Sequence, residues 1–172
     1  QRERLDLADG DFVDLDWLKK KSDNLIILTH GLEGSSERHY VKGTAKFFYE
    51  KDWDALAWNC RSCSGEMNRN LRMYNHGDIE DITAVINYAN QQKKYKKVVL
   101  AGYSMGGNIG MKYLGVNGKN IPSNIKVSIN FSAPTDLLSS VKLLDLPKSW
   151  FYSNRFRQKI WQKIRIKAGQ FP

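Results

Sequence analysis

The sequence predicts an α/β fold: a doubly wound, mostly parallel sheet with helices on both faces. Three observations carry that expectation. Uninterrupted apolar runs such as Leu25-Ile26-Ile27-Leu28 and Val98-Val99-Leu100-Ala101 read as strands covered on both sides. Between such runs lie stretches whose apolar residues recur at helical spacing, so that strand, helix and strand alternate. Glycine-containing loops follow two of the runs, at the carboxyl ends of strands where sheets of this kind bind their ligands.

Taken in order, Asp9-Gly10 makes a turn, and Phe12, Leu15 and Trp17 lie in a short strand-like stretch with acidic residues between them. Leu25 to Leu28 is the first fully apolar strand, followed by the loop His30-Gly31-Leu32-Glu33-Gly34-Ser35-Ser36. Tyr40, Val41, Thr44, Ala45 and Phe48 mark a helix, and Ala55 to Trp58 the next strand. A long polar loop from Asn59 to Gly77 leads to Asp78, a good N-cap, before a helix whose face is Ile79, Ile82, Val85, Ile86 and Ala89. Val98 to Ala101 is the following strand. The helix after it ends near Asn117-Gly118, and Ile125 to Phe131 is another strand. Pro134 ends the alternation; beyond it Leu137 to Leu146 and Ser153 to Lys167 read as helices with no strand between.

A chain of 172 residues with 12% aromatic residues suits a single globular core, and no apolar run approaches the roughly 20 residues of a membrane span. The start, Gln1-Arg2-Glu3-Arg4, has neither an initiator methionine nor an apolar leader and reads as a cut end. The two cysteines, Cys60 and Cys63, give no disulfide framework and favour a reducing, cytoplasmic setting. Of the net charge of +9, residues 146–172 supply seven Lys or Arg with no Asp or Glu. That asymmetry fits an acidic membrane surface, nucleic acid or a solvated helical face, and the last is preferred because most charge runs are solvated faces.

The stretch Gly102-Tyr103-Ser104-Met105-Gly106 sits between a strand and a helix, and each letter has a physical reason. A turn this tight forces Ser104 into strained geometry and brings the two elements so close that side chains at 102 and 106 would collide. The turn lifts the Ser104 hydroxyl clear of the sheet. It also aims the free N–H groups and positive end of the new helix at any oxyanion formed there, with the Met105 N–H as first donor.

With these loops placed, the chain resembles the α/β-hydrolase superfamily, and within it the YheT-like group of esterases, related to eukaryotic lipid hydrolases and plant embryogenesis-associated proteins. The matching residues are Asp9-Gly10 with Leu15-Asp16-Trp17, the loop His30 to Ser36, Asn59-Cys60-Arg61 with Cys63-Ser64-Gly65-Glu66, and Gly102 to Asn108. The resemblance implies a nucleophile at Ser104, an oxyanion hole from the backbone N–H groups of Leu32 and Met105, and loop- and elbow-shaping roles for His30, Gly31, Gly102 and Gly106. Tyr103 and Met105 stand where phenylalanine and leucine are common in the group. The resemblance also divides the chain into a partial hydrolase core, 1–133, and a partial helical cap segment, 134–172. The family's acid and base follow the cap in the order Ser, Asp, His, and no residue here matches either.

Other residues read more plainly. His30, before Gly31, shapes a loop rather than acting as base; His39 falls on a helix and His76 on a loop, and nothing brings either to Ser104. Cys60-Arg61-Ser62-Cys63 has redox spacing, yet the chain continues as loop where a redox motif opens a helix, and a zinc site lacks two further ligands. Asp78 and Asp81 near a helix start are explained by capping. The tail interleaves Phe156, Ile160, Trp161 and Ile164 with basic residues, which suits a cap helix first and an anionic membrane surface second; no nucleic-acid motif accompanies it. The expectation is therefore a cofactor- and metal-free hydrolase of small-molecule esters or lipids, acting through an acyl-enzyme on Ser104. The rival reading is a catalytically incomplete binding or scaffold module. An apolar strand at Ile125 to Phe131 with no later strand to pair its outer edge further predicts a homo-oligomer or a missing C-terminal half.

Overall fold

The computed structural model describes residues 1–171, and its contacts divide into two compact units, Gln1–Ala133 and Pro134–Pro172. The first carries six strands, β1 (Arg2–Asp6), β2 (Phe12–Leu18), β3 (Asn24–Thr29), β4 (Asp54–Asn59), β5 (Lys97–Tyr103) and β6 (Ile125–Phe131). Between them run α1 (His39–Glu50), α2 (Glu80–Gln92) and α3 (Met105–Asn117). The second unit holds α4 (Leu137–Leu144) and α5 (Trp150–Gln170).

One sheet has the order β1-β2-β4-β3-β5-β6. From β3 the chain steps outward through α1 to β4, then returns through α2 to β5 on the other side of β3, so the order reverses between β3 and β5. These two strands pair in parallel from Asn24↔Lys97 to Thr29↔Gly102, which sets the two glycine loops side by side at the switch point. Only β2, antiparallel to both neighbours, and β1 depart from the parallel pattern.

The apolar runs of the central strands follow from burial on two faces. Along β3, Ile26 and Leu28 join Val41 and Ala45 of α1, while Leu25 and Ile27 face the opposite layer with Ile82, Val85 and Ile86 of α2 and Ile109 of α3. Gly118, with φ of 48°, ends α3 as the Asn117-Gly118 signal predicts. β6 lies at the sheet edge, paired only with β5, and leaves Val127 and Phe131 about half exposed.

One strand goes unread in the sequence, and two sequence expectations need correction. β1 is a strand although its sequence, Arg-Glu-Arg-Leu-Asp, gives no apolar signal; its charges pair across the hairpin, Arg2 with Asp16 at 2.8 Å and Arg4 with Asp14 at 2.9 Å. The residue at the α2 N-cap is Ile79 rather than Asp78, whose carboxylate accepts the Glu80 N–H at 3.2 Å from one position further out. Asp81 does not cap at all. It is buried and takes both Nε and Nη2 of Arg61, at 2.9 and 2.7 Å.

Arg61 is the hub that pins the long 59–77 loop. Only 2% exposed, it also reaches Asp9 at 2.6 Å and Asp11 at 3.1 Å through Nη1. Asp11 is fully buried, and burial alone would raise its pKa; the Asn68 amide and the backbone N–H groups of Arg69, Phe12 and Asn70 outweigh that and hold the carboxyl below its usual range. Such a cluster is unlike the pairs on β1, whose arginines lie at the surface.

Removing the cation strands the buried Asp81 and takes one partner each from Asp11 and from the more exposed Asp9. Arg61→Ala should therefore cost about 3–5 kcal/mol of unfolding free energy at pH 7, read from urea midpoints. Without Arg61 the buried Asp81, already pushed up by burial, titrates further above its unfolded value, so the penalty applies at pH 7 and fades as pH falls toward about 4. The gap between variant and parent should narrow over that range, and equal midpoints at pH 7 would show that the cluster contributes nothing.

Candidate active site

β5 delivers Ser104 into a turn with φ of 51° and ψ of −116°, a region that a residue with a side chain enters only under strain of about 1–3 kcal/mol. Backbone bonds on both sides hold it there. The Ser104 N–H donates to Phe131 O at 2.8 Å, and Ser104 O accepts from the N–H groups of Gly107 at 2.9 Å and Asn108 at 3.2 Å. Met105, Gly106 and Gly107 are buried while Ser104 itself is exposed, and among the described residues its hydroxyl has no hydrogen-bond partner.

The glycines make the turn sterically legal. A Cβ at Gly102 would lie 2.4 Å from the Gly106 carbonyl, and one at Gly106 would lie 2.3 Å from Thr29 O and 2.6 Å from His30 O. Elbow and neighbouring loop thus touch backbone to backbone. Gly31 is close as well, its would-be Cβ 3.4 Å from Ser104 Cβ.

Hydrogen bonds hold several backbone groups of the 30–36 loop. The Gly31 N–H donates to the Tyr40 hydroxyl at 3.3 Å, Gly31 O accepts the Gly34 N–H at 2.9 Å, and the Glu33 N–H donates to the Tyr74 hydroxyl at 3.0 Å. Glu33 O accepts Arg38 Nη2 at 2.9 Å, and the Ser36 N–H donates to Asn59 Oδ1 at 2.8 Å. The Leu32 N–H donates to no protein acceptor among the described residues. The Met105 N–H at the start of α3 is in the same position.

His30 is fully buried, and its ring is committed on both sides. The Cys60 N–H donates to Nε2 at 3.0 Å, so Nδ1 carries the proton and donates to Gly31 O at 2.7 Å. A ring in this tautomer, with both nitrogens engaged, is a brace between the end of β4 and the loop. His39 opens α1 and is exposed; His76 lies in the long loop, where burial lowers its pKa. Cys60 and Cys63 are both buried, and no cluster of metal-ligating side chains occurs among the described residues.

Three tyrosines here make contacts that the sequence reading does not anticipate. Tyr103 stacks on Phe131, centroids 4.8 Å apart and planes 12° from parallel, and leans on Tyr40 at 4.6 Å, while its hydroxyl meets Thr44 Oγ1 at 2.5 Å. Tyr40 counts by its spacing as a helix-face residue, and Tyr74 falls in a polar loop without periodicity; the polar end of each ring does the work that spacing cannot show. Glu33 was visible only as a letter within the glycine loop.

An exposed serine on a strained strand-to-helix turn at the switch point of this sheet defines an α/β-hydrolase fold. The chain belongs to the Hydrolase_4 family, described as "Serine aminopeptidase, S33", which matches residues 20–171. It is 33% identical over 136 residues to YheT of Escherichia coli strain K12, covering 77% of this chain and 39% of that one, which bears out the resemblance drawn from the motifs. It is 26% identical over 165 residues to human phospholipase ABHD3, covering 91% of this chain and 40% of the relative. The chain thus spans about two fifths of the length of these relatives. The Pyrococcus furiosus esterase Pf2001 superposes with a TM-score of 0.69 at 21% identity, over 89% of this chain and 60% of that one, and shares the fold.

Crowding at the elbow is directly testable. Gly106→Ala forces a methyl group against two backbone carbonyls that have nowhere to go, and the expected loss is about 3 kcal/mol or more in urea unfolding. Gly43, on α1 with nothing within 4 Å of its would-be Cβ, is the control: Gly43→Ala should stabilise by about 0.5–1 kcal/mol.

Proposed function

We propose that the intact protein hydrolyses carboxylic esters through an acyl-enzyme on Ser104. Membership of an esterase- and lipase-type hydrolase family supports the reaction class. One observation supports the particular site: Ser104 is exposed near two backbone N–H groups, of Leu32 and Met105, that no acceptor among the described residues takes up. In this reading Ser104 Oγ attacks the ester carbonyl, and the oxygen that becomes negative is held by those two donors. The alkoxide leaves, and water then releases the acid.

The attack needs a base within hydrogen-bond reach of Oγ. His30 is spent as a brace, and neither His39 nor His76 is bonded to Ser104, so we assign base and acid to sequence outside these 172 residues. The name of the phospholipase relative favours a lipid-like ester, and Tyr103, Phe131 and Tyr40 offer aromatic surface beside the nucleophile.

For the partner surface we propose contact of the 134–172 unit with anionic lipid. That unit carries eight Lys and Arg against two Asp, and its Leu138, Trp150, Phe151 and Tyr152 are each at least 63% exposed.

Two measurements test these readings. A fluorophosphonate should label the full-length protein at Ser104 and leave Ser104→Ala unlabelled, while the 172-residue chain alone turns over short-chain esters near background, about a millionfold below an intact triad. Turnover by the short chain at ordinary enzyme rates would require a base among its own residues and sink the assignment. On vesicles of mixed neutral and anionic lipid, binding should weaken as salt rises beyond about 0.15 M and on neutralising Lys159, Lys163 and Arg165; salt-independent binding would remove the lipid reading.

A further inference from the structure

The oxyanion loop holds a residue in the wrong place for its type. Gly31 O accepts the Gly34 N–H at 2.9 Å, which closes a four-residue turn with Leu32 and Glu33 at its centre. Glu33 has φ of +54° and Leu32 does not have a positive φ, the pattern of a type II turn, whose third position belongs to glycine. A glutamate there is strained, and it is also buried, with 6% of its surface exposed. Something must hold it.

The holder is Tyr74, forty-one positions away in the long loop. Its hydroxyl accepts the Glu33 N–H at 3.0 Å and donates to Glu33 Oε1 in a short hydrogen bond, so one oxygen ties both the backbone and the side chain of the strained residue. Burial first, then Cys63 and Glu33, push the Tyr74 hydroxyl far above its usual pKa, which keeps it a donor. We propose that Tyr74 is a positioning residue for the oxyanion hole: by clamping Glu33 in the left-handed conformation it maintains the Gly31–Gly34 turn, and so the direction of the Leu32 N–H.

The geometry links each step. The Leu32 N–H belongs to the same peptide plane as Gly31 O. That plane is fixed by the two bonds Gly31 O accepts, from His30 Nδ1 and from the Gly34 N–H. In this turn the second bond goes with a left-handed Glu33, and a Glu33 that relaxes to extended backbone opens the turn and breaks it. Release Glu33 and the plane loses one of its two anchors. The proposal rests on the reading of Leu32 as an oxyanion donor.

The test is the rate of Ser104 labelling by a fluorophosphonate in the full-length protein, since the phosphonyl oxygen occupies the oxyanion position as the adduct forms. Tyr74→Phe keeps the ring and removes the clamp; labelling should slow by about tenfold or more, against the 10²- to 10³-fold typical of losing a donor outright. Glu33→Gly added to Tyr74→Phe should restore most of the rate, because glycine holds the same φ without help. A tyrosine that merely stabilised its own loop would not be rescued this way. Labelling of Tyr74→Phe at the parent rate, or a deficit that Glu33→Gly leaves unchanged, overturns the proposal. Leu32→Pro separates it from the reading beneath it. Proline suits the second position of this turn yet lacks the N–H, so a folded Leu32→Pro that labels at the parent rate overturns the oxyanion hole itself. A slow Leu32→Pro beside a normal Tyr74→Phe overturns the clamp alone.

Discussion

The structure depends on one close approach: the backbone of Gly106 against the carbonyl groups of Thr29 and His30. It requires β3 and β5 to be parallel neighbours in the register Thr29↔Gly102, and the reversal of strand order between them goes with α1 and α2 on opposite faces of the sheet. The apolar content of both strands follows, since each is covered twice. So does the strain at Ser104, because a helix that begins so near the adjacent strand leaves the chain no relaxed path between them.

Around that contact, polar groups are used in two different ways. The β1–β2 hairpin spreads Arg2, Arg4, Asp14 and Asp16 over a partly solvated face, where each pair is weak and the set mainly fixes register. Arg61, Asp11, Asp81 and Asn68 are instead gathered out of water, with Asp9 reaching Arg61 from the surface. There the pairing is geometric necessity: every charge removed leaves another exposed to a low dielectric. His30, Asn59 and Tyr40 extend the same principle to neutral groups, so that the loop beside Ser104 is held by side chains from α1, β4 and the 59–77 segment.

The sheet, the helices and the elbow were legible in the sequence because their signals are periodic or local: apolar strands, helical spacing, and glycines two residues either side of Ser104. β1 was not, since an edge strand with charges on both faces has the composition of a loop. Asp81 looked like a capping residue because its partner, Arg61, is twenty positions away. Glu33 and Tyr74 share that limitation. A glutamate in a glycine's turn position is visible as an oddity only once φ is known, and a tyrosine in a polar loop acquires meaning from what its hydroxyl meets.

The bonds that shape the site span long stretches of chain: 30 positions from His30 to Cys60, 41 from Glu33 to Tyr74, 52 from Asp9 to Arg61. Ser104 itself waits for Phe131, whose carbonyl takes its N–H. Each closure costs chain entropy that only a nearly complete sheet repays, so these contacts form late in folding. On the ribosome the elbow cannot take its final shape until β6 has emerged. Until then the serine is one hydroxyl among many, and its distinctive geometry arrives only with the finished sheet.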